Sequence, residues 1–110
     1  SAVEIWGDGS ATREFLHVRD CADGIVLAME KYNEEMPLNI GTGIDISIRD
    51  LVTKIANIFG FKGEIKFNNQ KTNGQPKRKL CIDRIKSIGF EPKIDFDEGL
   101  LEEIRWYVSN

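Results

Sequence analysis

Three consecutive cations, Lys77-Arg78-Lys79, follow the turn-forming run Asn73-Gly74-Gln75-Pro76. A guanidinium offers a phosphate two parallel N–H bonds, whereas an ammonium acts as a point charge. The cluster is therefore either a solvated loop or an anion site. Arg13 supplies a second cation, on a segment that alternates like a strand and follows the turn after Trp6. An indole beside an arginine gives a flat wall for a base or sugar and a charge for a phosphate. Trp6, Arg13 and the basic cluster suit a diphosphate-linked ligand, provided that the fold brings them together.

Other chemistries are poorly served. Gly41-Thr42-Gly43 follows a strand-like segment, as a phosphate loop would, but the third glycine of GxGxxG is missing. That stretch reads as a strand-to-helix turn. His17 is the only histidine, which leaves neither a nucleophile triad nor a metal cluster to build. Cys21 and Cys81 form no CxxC and read as reduced thiols of a cytoplasmic protein. No pair of carboxylates sits in an evident apolar pocket, so glycosidase chemistry has no candidate. Glu34-Glu35 reads as solvated surface. No residue is nominated as catalytic, cofactor-binding or metal-ligating.

The elements that must position the basic residues can be read from periodicity. Val3-Glu4-Ile5-Trp6 alternates as a strand, and Gly7-Asp8-Gly9-Ser10 is a turn. Glu14-Phe15-Leu16-His17-Val18 reads as a second strand, returning beside the first as a hairpin or a longer reversal. Asp20 then opens a helix as N-cap or first-turn acid. Its apolar stripe is Cys21, Ala22, Ile25, Val26 and Met29. Leu38-Asn39-Ile40 is a short strand. Ser47-Ile48-Arg49-Asp50 has the form of a capping box, and Gly60 stops the helix behind it. Glu64-Ile65-Lys66-Phe67 is another strand, residues 68–79 a long loop, and Leu80-Cys81-Ile82 a short strand. A one-to-two-turn helix over 83–88 ends at Gly89. A final helix over 97–108 carries Leu100, Leu101, Ile104, Tyr107 and Val108 on one stripe, with Trp106 opposite. The predicted class is α/β, a small mixed domain of short strands and three main helices.

Length and charge narrow the field. At 110 residues the chain holds one small domain and not a cofactor domain plus a substrate domain. A net charge of −3, from 15 basic and 18 acidic residues, argues against a general nucleic-acid binder. No apolar run is long enough for a membrane span, and Ser1-Ala2-Val3-Glu4-Ile5 carries no visible signal peptide. The absence of an initiator Met is read as a processed chain or an excised fragment.

Trp6-Gly7-Asp8-Gly9, followed by Arg13-Glu14-Phe15-Leu16-His17-Val18-Arg19-Asp20, resembles the extended short-chain dehydrogenase/reductase family. These are NAD(P)-dependent nucleotide-sugar epimerases, dehydratases and reductases. Asn39-Ile40-Gly41-Thr42-Gly43, the Asn73-to-Arg78 loop, Gly89-Phe90 and the terminal helix ending in Trp106-Tyr107 continue the likeness in the same order. The nearest branch is the one that epimerises and reduces GDP-4-keto-6-deoxymannose with NADPH. The resemblance implies that residues 1–110 are a C-terminal, substrate-binding lobe. It implies that Trp6 lines the nucleotide-sugar pocket and that Arg13 contacts the diphosphate. Arg78 joins it when the loop is anchored on Pro76, and Lys79 or Lys77 if the register shifts by one. Cys81 stands where relatives often have Asp, with a packing or capping consequence. His17 and Asp20 read as structural.

The family's glycine-rich loop and its Tyr-x-x-x-Lys pair have no counterpart here. Tyr32 is followed four residues on by Met36. The resemblance therefore implies a missing N-terminal Rossmann domain that binds NADP (or NAD), a full-length homodimer, and no turnover by this chain alone. Two alternatives stay open. One is the same lobe of a UDP- or GDP-sugar 4-epimerase or dehydratase. The other is a stand-alone nucleotide-sugar binding module.

Overall fold

A computed structural model describes all of residues 1–110. The elements run β1 (Ala2–Trp6), β2 (Thr12–Glu14), α1 (Val18–Lys31), β3 (Asp45–Ser47), α2 (Ile48–Phe59), β4 (Glu64–Asn68), β5 (Lys77–Arg78), α3 (Asp83–Ser87) and α4 (Phe96–Ser109). This is the anticipated α/β mixture, with α1, α2 and α4 as the main helices. The chain forms two compact units, Ser1–Arg13 with Asp45–Arg78 and Glu14–Ile44 with Lys79–Asn110.

In the first unit β1 pairs in parallel with β4, placing Val3 opposite Ile65 and Ile5 opposite Phe67. The apolar side of α2 lies against this pair. Val3, Ile5, Ile65 and Phe61 join Val52, Ile55, Ala56 and Phe59 around a solvent-open apolar cleft of about 320 Å³. Helix α2 begins and ends as its sequence predicts. The Ser47 hydroxyl accepts from the Asp50 N–H at 3.0 Å, and Gly60 closes the helix at φ 66°. The first two strands, expected beside each other as a hairpin or a longer reversal, do not pair. Instead β2 lies between β3 and β5, in a sheet of order β3-β2-β5. The turn after β1 carries the chain away from it. Gly9 has φ 81°, and a Cβ there would meet the Phe67 ring at 2.7 Å and the Arg49 Cβ at 2.9 Å. Arg49 also stacks over Phe67 at 4.0 Å and donates from Nη2 to the Asp8 carbonyl at 2.6 Å.

The second unit has a close-packed centre. Ile82, Ile85 and Phe90 are buried, with Leu16, Leu27, Leu38, Ile40 and Ile88 packed around them. The strand expected over 14–18 stops at Glu14. His17 stays extended but serves as the N-cap of α1, its Nδ1 accepting from the Arg19 N–H at 3.1 Å. Asp20 therefore lies inside the first turn and is not the cap. It is 2% exposed, and its carboxylate accepts from the backbone N–H groups of Lys93 and Ile94, both at 3.0 Å. The expected stripe of α1 also points the other way. The buried side holds Asp20 and Gly24, while Ile25, Val26 and Met29 are 49%, 53% and 80% exposed. Gly24 explains the choice: a Cβ there would sit 2.7 Å from Ile40 Cγ2 and 3.1 Å from the Phe90 ring.

Residues 38–40 and 80–82 are not strands. A side-chain bond from Asn39 Nδ2 to the Cys81 carbonyl, 3.2 Å, joins them. Helix α4 is capped by Asp95, which accepts from the N–H groups of Asp97 and Glu98. Its buried contact is Gly99, where a Cβ would meet the His17 ring at 3.0 Å. Tyr107 and Val108 were expected on the buried stripe, but they are as exposed as Trp106, because the last turn extends beyond that contact.

Candidate functional site

Parallel pairing of β2 with β5 sets Thr12 opposite Lys77 and Arg13 opposite Arg78. Directly opposed side chains emerge on the same face, and like charges there repel. Gln75 holds both guanidiniums. Its backbone carbonyl accepts from Arg13 Nη1 at 2.7 Å, and its side-chain Oε1 accepts from Arg78 Nε. Arg13 Nη1 also donates to the Thr12 carbonyl at 2.7 Å. Thr12 N–H in turn donates to the Pro76 carbonyl at 2.9 Å. Gly74, at φ 74°, brings the loop to where a Cβ would lie 3.4 Å from Arg13 Nη2. Neither guanidinium pairs with a carboxylate. Their hydrogen bonds run to neutral oxygens, which leaves two cations side by side without a counter-charge.

Trp6, 61% exposed, ends β1. The cation over its ring is Lys71, 5.2 Å from the centroid, and not Arg13. The turn after Trp6 is nevertheless tied to the loop that carries Gln75. The Asp8 N–H donates to Asn73 Oδ1 and Asn73 Nδ2 donates to Asp8 Oδ1, each at 3.0 Å. Asp8 is held at a pKa of about 2, well below its usual 3.8, chiefly by the Ser10 hydroxyl, then by the Ser10 N–H and the Asn73 amide. The strand register puts Arg78, rather than Lys77 or Lys79, opposite Arg13. Lys79 is exposed and belongs to the second unit.

The turn 41–43 does not fit a dinucleotide phosphate. Gly43 N–H donates to Glu14 Oε2, and a Cβ at Gly41 would meet Glu14 Oε1 at 2.8 Å. A carboxylate already lies where a phosphate would have to sit. Cys81 is exposed, with its Sγ 3.5 Å from Asp83 Oδ2 at the foot of α3. No helix is long and apolar enough to cross a membrane.

A model of the NAD dependent epimerase/dehydratase family matches residues 1–41. The GDP-L-fucose synthase of Sinorhizobium fredii is 39% identical over 108 residues, covering 98% of this chain and 34% of that protein. The likeness to the family model is confined to residues 1–41, and the likeness to the synthase runs through the whole chain. The chain spans about a third of the length of the curated relatives it matches. Two solved structures agree in fold. The GDP-mannoheptose C4 reductase from Campylobacter jejuni, with NADP bound, is 35% identical, with a TM-score of 0.84 over 97% of this chain and 35% of its own. The UDP-glucose 4-epimerase of Thermotoga maritima, with UDP-glucose, is 29% identical, with a TM-score of 0.87 over 98% of this chain and 35% of its own.

The run from Arg13 to Asp20 is a chain of anchors. Arg13 enters the β2–β5 pair. Glu14 takes the N–H groups of Gly43 and Leu80. Leu16 enters the core, His17 caps α1, and Asp20 takes two N–H groups of the segment before α4. The sequence reading missed Gln75, Asn73 and Lys71. The signal for the first two was present, because two amides flank Gly74 in a run that also ends in proline. Lys71 over Trp6 had no local signature.

Proposed function

We propose that this chain is the substrate-side, C-terminal lobe of an NAD(P)-dependent nucleotide-sugar epimerase/reductase. The nearest model is the conversion of GDP-4-keto-6-deoxymannose to GDP-L-fucose. The observation that carries the reading is the Arg13–Arg78 pair, opposed on one face and without a counter-charge. Its partner is the diphosphate of the nucleotide sugar, with Trp6 as a wall of the pocket; Lys79 takes the place of Arg78 only if the register shifts by one. A separate Rossmann domain supplies NADP (or NAD) and the proton-transfer groups. Diphosphate binding holds the sugar in register for that chemistry. The isolated chain turns nothing over. The setting is the cytoplasm, and the complete enzyme is a homodimer. The likeness to a UDP-glucose 4-epimerase supports a second reading, the same lobe acting on a UDP-sugar.

The test is the affinity for a GDP-sugar of the enzyme that carries this segment. Arg13→Ala and Arg78→Ala should each weaken it by about 1.5–3 kcal/mol, the scale of a charge-assisted hydrogen bond. An unchanged Kd in either variant removes that arginine from the site. Loss on Lys79→Ala with Arg78→Ala silent would move the contact by one residue. Strong, saturable GDP binding by the 110-residue chain alone would favour a stand-alone binding module.

A further inference from the structure

Gln75 stands between the two guanidiniums and touches both, yet it carries no charge. Its carbonyl fixes Arg13 at 2.7 Å and its Oε1 fixes Arg78 through Nε. A bond at Nε leaves the Nη pair of Arg78 available to an anion, whereas a bond at Nη would occupy it. An amide acceptor also orients the cation without neutralising it. A carboxylate at the same place would orient Arg78 equally well and cancel its charge. Residue 75 thus meets two demands at once, geometry and undiminished positive potential.

We infer that Gln75 is the positioning residue of a two-arginine clamp for a diphosphate group, acting on Arg78 through its side chain and on Arg13 through its backbone. This rests on the reading of Arg13 and Arg78 as a diphosphate site. It adds a residue that touches no ligand, and it separates the two arginines. A side-chain change at 75 frees Arg78 but leaves Arg13 held, because the main-chain carbonyl remains.

The experiment titrates inorganic pyrophosphate, and in parallel GDP, into the full-length enzyme that carries this segment. Binding and the Arg78 Nε–H resonance are followed by NMR in wild type, Arg78→Ala, Gln75→Ala and Gln75→Glu, at low and high salt. Arg78→Ala should weaken pyrophosphate about tenfold, and Gln75→Ala about three- to fivefold, the loss of one orienting hydrogen bond. Gln75→Glu should keep the Arg78 Nε–H in its bonded position yet bind at least as weakly as Arg78→Ala, with a flatter salt dependence. That split between an intact resonance and lost affinity is one that a merely structural role does not produce. If Arg78→Ala weakens binding and Gln75→Ala does not, the Gln75 inference is overturned and the diphosphate reading stands. If Arg78→Ala binds as wild type, both fall. Should Gln75→Ala fail to give a native amide spectrum, Gln75→Glu decides, and wild-type affinity in that variant overturns the inference.

Discussion

The two units close their interiors by different means. The unit of Glu14–Ile44 and Lys79–Asn110 has an apolar centre in which Ile85 is fully buried and Phe90 is 5% exposed. The unit of Ser1–Arg13 and Asp45–Arg78 faces α2 towards β1 and β4 across a solvent-open apolar cleft of about 320 Å³, and no residue of α2 is fully buried. Polar ties take up part of the task. Asp8 with Asn73, Arg49 with the Asp8 carbonyl, and Arg13 with Gln75 cross between segments distant in sequence. The candidate site sits on this second kind of scaffold. Its geometry is a property of hydrogen bonds and glycine turns more than of a packed core.

Large-to-small substitution breaks or sharpens that contrast. Ile85→Ala should cost about 3–5 kcal/mol, the range for a buried aliphatic whose site cannot collapse. Ile55→Ala, in α2 beside the existing cleft, should cost about 1–2 kcal/mol, because the lost contacts are fewer and the space is already open. Urea denaturation of both variants measures this. Equal losses would mean that the two interiors are equally tight.

The next effect compares polar ties. Asp20→Ala strips the partner from two backbone N–H groups, those of Lys93 and Ile94, around a carboxylate that is 2% exposed. About 2–3 kcal/mol should be lost, since part-buried donors are left unpaired. Asn73→Ala removes two exposed bonds and should cost about 1 kcal/mol or less, because water replaces them. If Asn73→Ala is the more damaging, the first unit depends on its polar ties even more than the cleft implies.

Much of this was legible in the sequence, and the failures share a cause. Local signals were read correctly where the physics is local. Ser47 caps α2, Gly60 ends it, and Glu64 to Phe67 are strand. The stripe of α1 and the strands expected over 38–40 and 80–82 did not appear as read, because each depends on a partner far away in the chain. Asp20 is a first-turn acid, one of its two expected roles, and its bonds to Lys93 and Ile94 are the part that no local signal carries. Alternation over 14–18 is no strand without a ladder, and the extended backbone at His17 serves as a cap instead. The basic cluster was visible as a list of cations. Which of them faces Arg13 is a matter of register, which no single strand contains.

Helices α1 and α2 put that limit most plainly, since both show an apolar stripe of helical period. The stripe of α2 faces β1 and β4, while that of α1 faces outward, and period alone does not choose. The double substitution Ile25→Gln and Met29→Gln should leave the stability of this chain within about 0.5 kcal/mol, as for surface positions. It should also reduce self-association, which an exposed apolar stripe favours. Sedimentation velocity at high concentration reads the second effect and thermal melting the first. A clear loss of stability would show that the outer stripe is packed after all.

The smallest effect concerns the turn beside Trp6, and it appears only as a function of pH. Asp8 is fully exposed, so its low pKa reflects hydrogen bonds from Ser10 and Asn73 to the ionised form and not burial. Its folded value of about 2 lies below the ordinary 3.8. The ionised carboxylate therefore stabilises the folded state fully above pH 3.8, and this contribution is lost as the pH falls towards about 2. Asp8→Asn keeps an acceptor for Ser10 but cannot titrate. The stability difference between wild type and Asp8→Asn should be constant from neutral pH down to about 4, narrow below that, and be lost as the pH falls through about 2. Thermal melts across that range give the curve. A difference that widens on acidification would mean that the ionised form destabilises the turn, and that the Asp8–Asn73 tie does not help hold the loop carrying Gln75.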